Sequence, residues 1–317
     1  MIPLVIDTDT ASDDAVALLL ALTDPRVDVR AITVVSGNVP LEMGVQNALY
    51  TVELCGATAP VHAGADRPLV REHVFAHEVH GADGMGDAGL PLTGRVPAHG
   101  HGVDVLIDLA RRHPGELTLV TLGPLTNLAL ALRRAPDIAG LYQRVVMMIG
   151  AADGLGNVTP AAEFNVHVDP EAADIVFRSG MPLEMVGWDV SRKDAVLTSA
   201  DSAALAARGP LGEFAMAIQR QLWEFCREVT HVDGIDMPDP VTMAVAIEPS
   251  LATEAADRYV VVETRGQHTC GATLVDHLGV TGREPNVRVV TRADHDRFLA
   301  MLHEACAAPS SAAATPG

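Results

Sequence analysis

Four aspartates, Asp7, Asp9, Asp13 and Asp14, fall within eight residues of the segment IDTDTASDDA (6–15). Apolar runs flank them on both sides, IPLVI before and AVALLLAL after. Like charges held a few Å apart either raise one another's pKa or require a cation. A hard divalent ion with oxygen ligands would neutralise them. Helix capping is the competing explanation, because an Asp at a helix N-terminus accepts amide hydrogen bonds and suits the helix dipole. Capping accounts for Asp13, Asp14 or both, but not for Asp7 and Asp9 as well.

The elements that must hold this cluster follow from the apolar pattern. Runs rich in Val, Ile and Leu occur at IPLVID (2–7), VRAITVVSG (29–37), APVHAG (59–64), ELTLVTLG (116–123), RVVMMIG (144–150), PLEMVGWDV (182–190), RYVVVE (258–263) and NVRVVT (286–291). Several are apolar on successive residues, as strands of a parallel sheet covered on both faces are. Helical stretches lie between them. GVQNALYTVELCG ends at Gly56, a C-cap residue, and VDVLIDLARRHPG ends in basic residues followed by Pro-Gly. DPEAADIVFRSG opens with Asp169 as N-cap and Pro170 at the first helical position. This alternation predicts an α/β fold, an open, mostly parallel Rossmann-like sheet flanked by helices. Without a repeat or a linker, residues 1–306 read as one domain and the low-complexity end, 307–317, as disordered. The Gly- and His-rich segment 73–96 reads as a long functional loop. In such sheets ligands bind beyond the carboxyl ends of the strands, which is where the aspartates fall.

Composition narrows the function. The 317 residues carry 41 acidic against 22 Lys and Arg side chains, a formal charge of -19. A chain so acidic is not built to bind nucleic acid through its phosphates and is repelled by anionic membranes. No apolar run approaches the ~20 residues that span a bilayer, and no secretory signal is visible. Cys55, Cys226, Cys270 and Cys306 are scattered and read as reduced thiols, which makes the cytoplasm the expected location.

Two chemistries suit the first motif. One is a phosphatase of the haloacid dehalogenase type, in which the first Asp of D-x-D-x-[TV] is a nucleophile; Ala11 breaks that pattern, and Asp13 and Asp14 have no role in it. The other fits further. DTDTASDDA resembles the D-T-D-x-x-x-D-D signature of the nucleoside hydrolases, the inosine-uridine-preferring nucleoside N-ribohydrolase family. SGN (36–38), HGADGMG (80–86), LGPLTNLALAL (122–132), GNVTPAAEFNVHVDPEAA (156–173) and DPVTMAVA (239–246) resemble later family blocks, in order. The resemblance runs from about residue 2 to residue 300.

It implies hydrolysis of the N-glycosidic bond of a small-molecule ribonucleoside, with one Ca²⁺. Asp9, Asp14 and Asp239 would be carboxylate ligands and the Leu122 carbonyl a fourth, with water and the ribose 2′- and 3′-hydroxyls completing a shell of ~8 oxygens. The cation and Asp9 would activate the attacking water. Asp13 would hold the 2′-hydroxyl. Asn38 and Asn165 would also contact the ribose, Asn157 and Glu163 would hold its 5′-hydroxyl, and Ile149 would pack beneath it. Asp7 would orient the loop from outside the ligand shell. His80 belongs to the substrate loop. A homodimer or homotetramer is the implied assembly. Taken singly, Asn157 reads equally as a turn residue, Glu163 as a surface carboxylate, Asn165 as a cap, and Asp239–Pro240 as an N-cap and first-turn pair.

The sequence departs from the family at one chemically important position. Many members carry His just before the last ligand Asp, where it assists departure of the base; here that residue is Pro238, which has no proton to give. His231 is the first replacement to consider as an acid, with His80 or Arg227–Glu228 behind it. Trp223 is the aromatic expected to stack on the base, and Trp188, in a strand-like run, is expected in the core. If no acid replaces the His, the alternative is a nucleoside- or ribose-binding protein with an intact metal–sugar pocket and little catalysis.

Overall fold

The computed structural model describes residues 1–231 and 233–311. Twelve strands occur among the described residues: β1 (Ile2–Thr8), β2 (Val27–Val34), β3 (Val61–Ala63), β4 (Thr118–Thr121), β5 (Arg144–Met148), β6 (Leu183–Val186), β7 (Val196–Leu197), β8 (Ile235–Asp236), β9 (Ala252–Arg258), β10 (Val260–Val262), β11 (Thr273–Val275) and β12 (Val287–Ala293). Eight of them form the central sheet in the order β3-β2-β1-β4-β5-β6-β12-β9. All pairs are parallel except β12 with the edge strand β9. The strand order reverses direction between β1 and β4. Their following loops diverge to opposite sides there and leave the crevice in which sheets of this kind bind ligands.

Helices cover both faces, so the inner strands are apolar throughout. Leu4, Val5 and Ile6 are successive and all fully buried. Helix Ser12–Thr23 is buried from Ser12 to Ala21. It packs against β2 of the sheet and against helix Pro238–Ile247, which itself lies on β4 and β5 and is buried from Asp239 to Ile247. Such all-round burial is why AVALLLAL shows no polar stripe. Removing the side chain of a core residue such as Leu18 would cost about 2–5 kcal/mol.

The sequence reading needs four corrections. PLEMVGWDV is not one strand: β6 stops at Val186, and Trp188 opens a helix, Trp188–Asp194. RYVVVE leaves the main sheet, and its β10 pairs with β11 instead. The edge strand β9 escaped notice because ATEAADR is polar and alanine-rich, as a half-exposed edge tolerates. The C-terminal segment is docked at its start: Ser310 Oγ donates to the Leu54 carbonyl at 3.1 Å and Ser311 Oγ to that of Glu53. Residues 312–317 lie outside the described residues. The segment 73–96 is a loop interrupted by one helical turn, His77–His80. Gly56 has φ +64 and donates to the Glu53 carbonyl, as its C-cap reading requires, and Asp169 accepts from the Ala172 amide. Among the described residues no helix is long and apolar enough to cross a membrane.

Candidate active site

The acidic loop lies directly beyond β1, at the sheet's switch point. Asp7, still within the strand, accepts from the Thr33 hydroxyl (2.5 Å) and from Asn127 Nδ2 (2.8 Å), and so ties β1 to β2 and to the helix after β4. Its second oxygen is buried without a partner. Asp14 accepts from the Thr8 hydroxyl at 2.5 Å and the Ala11 amide at 2.9 Å, which closes the loop on itself. The capping explanation thus holds for Asp14, and Asp13 accepts from the Asp14 amide at 3.1 Å.

Neither cap nor core explains Asp9. It is fully buried, one oxygen accepts from the Asn38 amide at 2.6 Å, and the other has no partner. Two glycines make room for it: a Cβ on Gly37 would lie 2.0 Å from one Asp9 oxygen, and one on Gly123 2.8 Å from the other. Asp239 enters from the first turn of helix Pro238–Ile247. It is not the N-cap expected from the sequence. Met237 occupies that place and Pro238, not Pro240, is the first helical residue. Oxygens of Asp13, Asp14 and Asp239 lie within 4.8 Å of one another. Asp9 belongs to the same group: burial and then the Asp14 charge hold its carboxyl above the usual range.

The electrostatics of this group are unfavourable as they stand. Burial, followed by the neighbouring carboxylates, holds Asp9 and Asp239 well above the usual carboxylate range. Burial also pushes Asp13 and Asp14 up to about 6, and Asp7 to about 7. Among the described residues, the basic group nearest the cluster is His80, whose Nδ1 lies 3.7 Å from Asp13. That imidazole is itself driven down to about 4 by burial and is neutral, and it shares a 2.8 Å hydrogen bond with Ser12 Oγ. A divalent cation is what these donors fit. They are hard oxygens, they are buried, one is unpartnered, and no positive side chain among the described residues compensates them.

The other residues singled out in the sequence divide into two groups. Asn38, His80 and Asn157 line a cavity of about 90 Å³ together with Asp13. Glu163, far from being a surface carboxylate, is 3% exposed; it accepts from the Gly150 and Asn165 amides, and burial raises it to about 7. Asn165 Nδ2 donates to the Leu122 carbonyl (2.8 Å) and to that of Met148 (3.1 Å), which links the ends of β4 and β5. Asn157 Oδ1 accepts from the Phe164 amide. Ile149 is fully buried at the end of β5.

The residues proposed for the base are not brought together. His231 is exposed, in a left-handed conformation (φ +56) after the π-helical turn Cys226–Thr230, and does not line the cavity. Arg227 and Glu228 pair with each other on the surface. Trp223 packs half-buried against the main core, while its neighbours Leu222 and Phe225 reach the cavity. Trp188 is buried in the main core, as expected, at 8% exposure, and it also lines the cavity, as does Asp236, which the sequence reading passed over. The overlooked signal was Gly187: a glycine after the apolar run LEMV ends β6 and turns the chain into a new helix at its carboxyl end.

A family model described as inosine-uridine preferring nucleoside hydrolase matches residues 4–300. The chain belongs to this family. A pyrimidine-specific ribonucleoside hydrolase, RihA, of Salmonella agona is 40% identical over 310 residues, covering 96% of this chain and 97% of the relative. Among solved structures, a plant nucleoside hydrolase superposes with a TM-score of 0.89 at 35% identity, covering 97% of this chain and 99% of that one. A purine-preferring ribonucleoside hydrolase from Gardnerella vaginalis has the same TM-score at 31% identity, covering 96% and 98%. This nucleoside hydrolase is therefore an enzyme of the N-glycosyl hydrolase class, with its buried acidic cluster where the family's active site is expected.

Proposed function

We propose that this nucleoside hydrolase cleaves the N-glycosidic bond of ribonucleosides, releasing ribose and free base, with Ca²⁺ held by Asp9, Asp14, Asp239 and the Leu122 carbonyl. The observation that carries the reading is the set of four buried, uncompensated carboxylates beside a cavity that Asn38 and Asn157 also line. A bound Ca²⁺ would supply Lewis acidity and oxygen coordination to the sugar diol and to water.

The residues of the chain do the rest. Asp9, whose free oxygen lies beside Gly123, accepts a proton from the attacking water. Asp13 takes a hydrogen bond from the 2′-hydroxyl, Asn38 and Asn165 address the ribose, and Asn157 and Glu163 address the 5′-hydroxyl. As the bond to the base stretches, the sugar gains positive charge, as in other glycoside cleavages. The surrounding carboxylates stabilise that charge more than they stabilise the neutral ground state. Pro238 offers no proton to the departing base. Of the replacements considered, His80 alone faces the cavity, and it is neutral. The location is the cytoplasm, in keeping with four cysteines that form no disulfide among the described residues, and the assembly is a homodimer or homotetramer.

Pro238 also favours a second reading, a binder of nucleosides or ribose that turns them over poorly. Ribose release from inosine, adenosine, guanosine, uridine, cytidine and p-nitrophenyl riboside, with Ca²⁺ and with chelator, separates the two. Calcium-dependent turnover of a natural nucleoside is the expected result. Binding without turnover of any natural nucleoside would support the binder, and no response to either ligand or cation would sink both.

A further inference from the structure

The lining of the cavity divides by chemistry. Asp13, Asn38 and Asn157 are polar and suit a sugar, whereas Trp188, Phe225 and Pro238 are flat or apolar and suit a planar ring. The division follows the sheet. Asp13 lies beyond β1, and Trp188 lies just beyond β6, three strands away across the order β1-β4-β5-β6, about 14 Å at the backbone.

Trp188 is also held in one orientation. Its indole N–H donates to Asp236 Oδ2 at 2.7 Å, and that oxygen also accepts from Ser191 Oγ at 3.2 Å. The Arg192 guanidinium sits 4.5 Å from the indole centroid and is anchored by Asp153 at 2.6 Å. The Trp188 backbone amide donates to the Gly150 carbonyl at 2.8 Å. One ring face is therefore covered and the polar edge is satisfied, and the ring, packed in the core at 8% exposure, contributes its remaining surface to the cavity wall, where a flat partner would meet it. Aromatic rings prefer offset-stacked partners, and every nucleobase has a π-face to offer.

We propose that Trp188 is the base-stacking residue of this site and that Asp236 is the positioning residue that sets the plane of its indole. The inference rests on the nucleosidase reading and deepens it. It assigns the base wall to the end of β6, not to the segment that carries Trp223 and His231. The recognised class is a planar heterocycle, and bicyclic purines, with the larger face, gain more from the stack than pyrimidines.

The chain has two tryptophans, so each can be observed alone. With Ca²⁺ present, W223F leaves Trp188 and W188F leaves Trp223 as the reporter during turnover of adenosine. The expected result is a saturable change in Trp188 emission with its midpoint at the KM, and no change in that of Trp223. In steady state, Trp188→Leu is expected to raise KM for adenosine on the order of 10- to 100-fold, and for uridine less. Inhibition by free ribose should be unmoved, which also shows that the variant is folded. Asp236→Ala should raise KM, and Asp236→Asn, which keeps an acceptor for the indole, should restore it. A response confined to Trp223, or a KM unchanged by Trp188→Leu in a protein that does turn over nucleosides, would overturn the assignment and leave the nucleosidase reading intact. A wild-type protein that hydrolyses no nucleoside would overturn the nucleosidase reading first. Should Trp188→Leu fail to fold, the W223F emission decides alone.

Discussion

Asp239 and Glu248 stand at opposite ends of one helix, in opposite surroundings. The helix dipole favours a carboxylate at the N-terminal turn, where Asp239 lies, and disfavours one at the C-terminal cap, where Glu248 lies. The observed perturbations run the other way. Glu248 is paired with Arg297 (2.8 Å) and Arg26 (3.1 Å), and hydrogen bonds from these guanidinium groups hold it at about 2. Asp239 is 3% exposed among Asp13, Asp14 and Asp9, and its pKa is raised by burial and by their charge. The dipole, at about 0.3–1 kcal/mol, is outweighed in both places. One end of the helix is built for stability. The other stores an unfavourable charge arrangement, which a cation would relieve.

The sharpest break of that comparison is at Asp9. Asp9→Asn keeps the shape and removes the proton acceptor; it should lower kcat about 10²–10⁴-fold. Steady-state ribose release checks it, and near-normal turnover would remove Asp9 from the chemistry.

Next in size is an inverted stability effect. In chelator-treated protein, Asp239→Asn should raise Tm, by roughly 2 °C for each kcal/mol of repulsion relieved. Glu248→Gln should lower it. Calcium should raise the Tm of the wild type and do little for Asp239→Asn. Thermal melts with and without Ca²⁺ would show both signs, and a lower metal-free Tm for Asp239→Asn would contradict the account.

The pH dependence follows from the same two groups of carboxylates. Asp7, Asp13, Asp14 and Glu163 have folded pKa values raised to between about 6 and about 7. Between pH 4 and 7 the folded state therefore binds more protons than the unfolded state, so the metal-free protein loses stability as pH rises through that window. Glu248 has the opposite sign. Its depressed pKa gives stability that is present above about 4.5 and is lost as pH falls towards 2. Metal-free stability should thus peak near pH 4, while calcium affinity should fall on acidification below about 6–7, because the ligands must be deprotonated. Urea melts across pH 3–8 check the first statement and calcium titrations the second.

The smallest effect belongs to the exposed partner. Arg297→Ala should cost at most about 1 kcal/mol and leave turnover unchanged, because Arg26 still pairs with Glu248.

The two sides of the cavity also differed in how far the sequence revealed them. The side proposed for the sugar and metal rests mainly on the segments that follow β1, β2, β4 and β5, with Asp239 added from helix Pro238–Ile247, and its first residues are polar, tightly spaced and out of place beside apolar runs. Asp9, Asn38 and Leu122 could be placed by counting from the strands. The side proposed for the base is lined by Trp188, Phe225, Asp236 and Pro238, which come from three separate segments and, Asp236 apart, are residue types that also build cores. Local pattern cannot distinguish a tryptophan that lines a cavity from one that fills a core. Trp188 sits in an apolar run whose strand ends two residues earlier, and the helix that carries Trp223 turns Leu222 and Phe225 toward the cavity in its place. The polar edge strand β9 was illegible for the converse reason, having too little apolar pattern to announce itself.

The central claim is that the four buried carboxylates form one cation site. The direct test is calorimetric titration of Ca²⁺ into chelator-treated wild type, Asp9→Asn and Asp239→Asn, near pH 6.5 in two buffers of different ionisation enthalpy. The account predicts one Ca²⁺ per chain for the wild type, with protons released on binding, and binding weakened or lost in both variants. Absence of binding by a folded wild type, or binding that neither substitution disturbs, would contradict it.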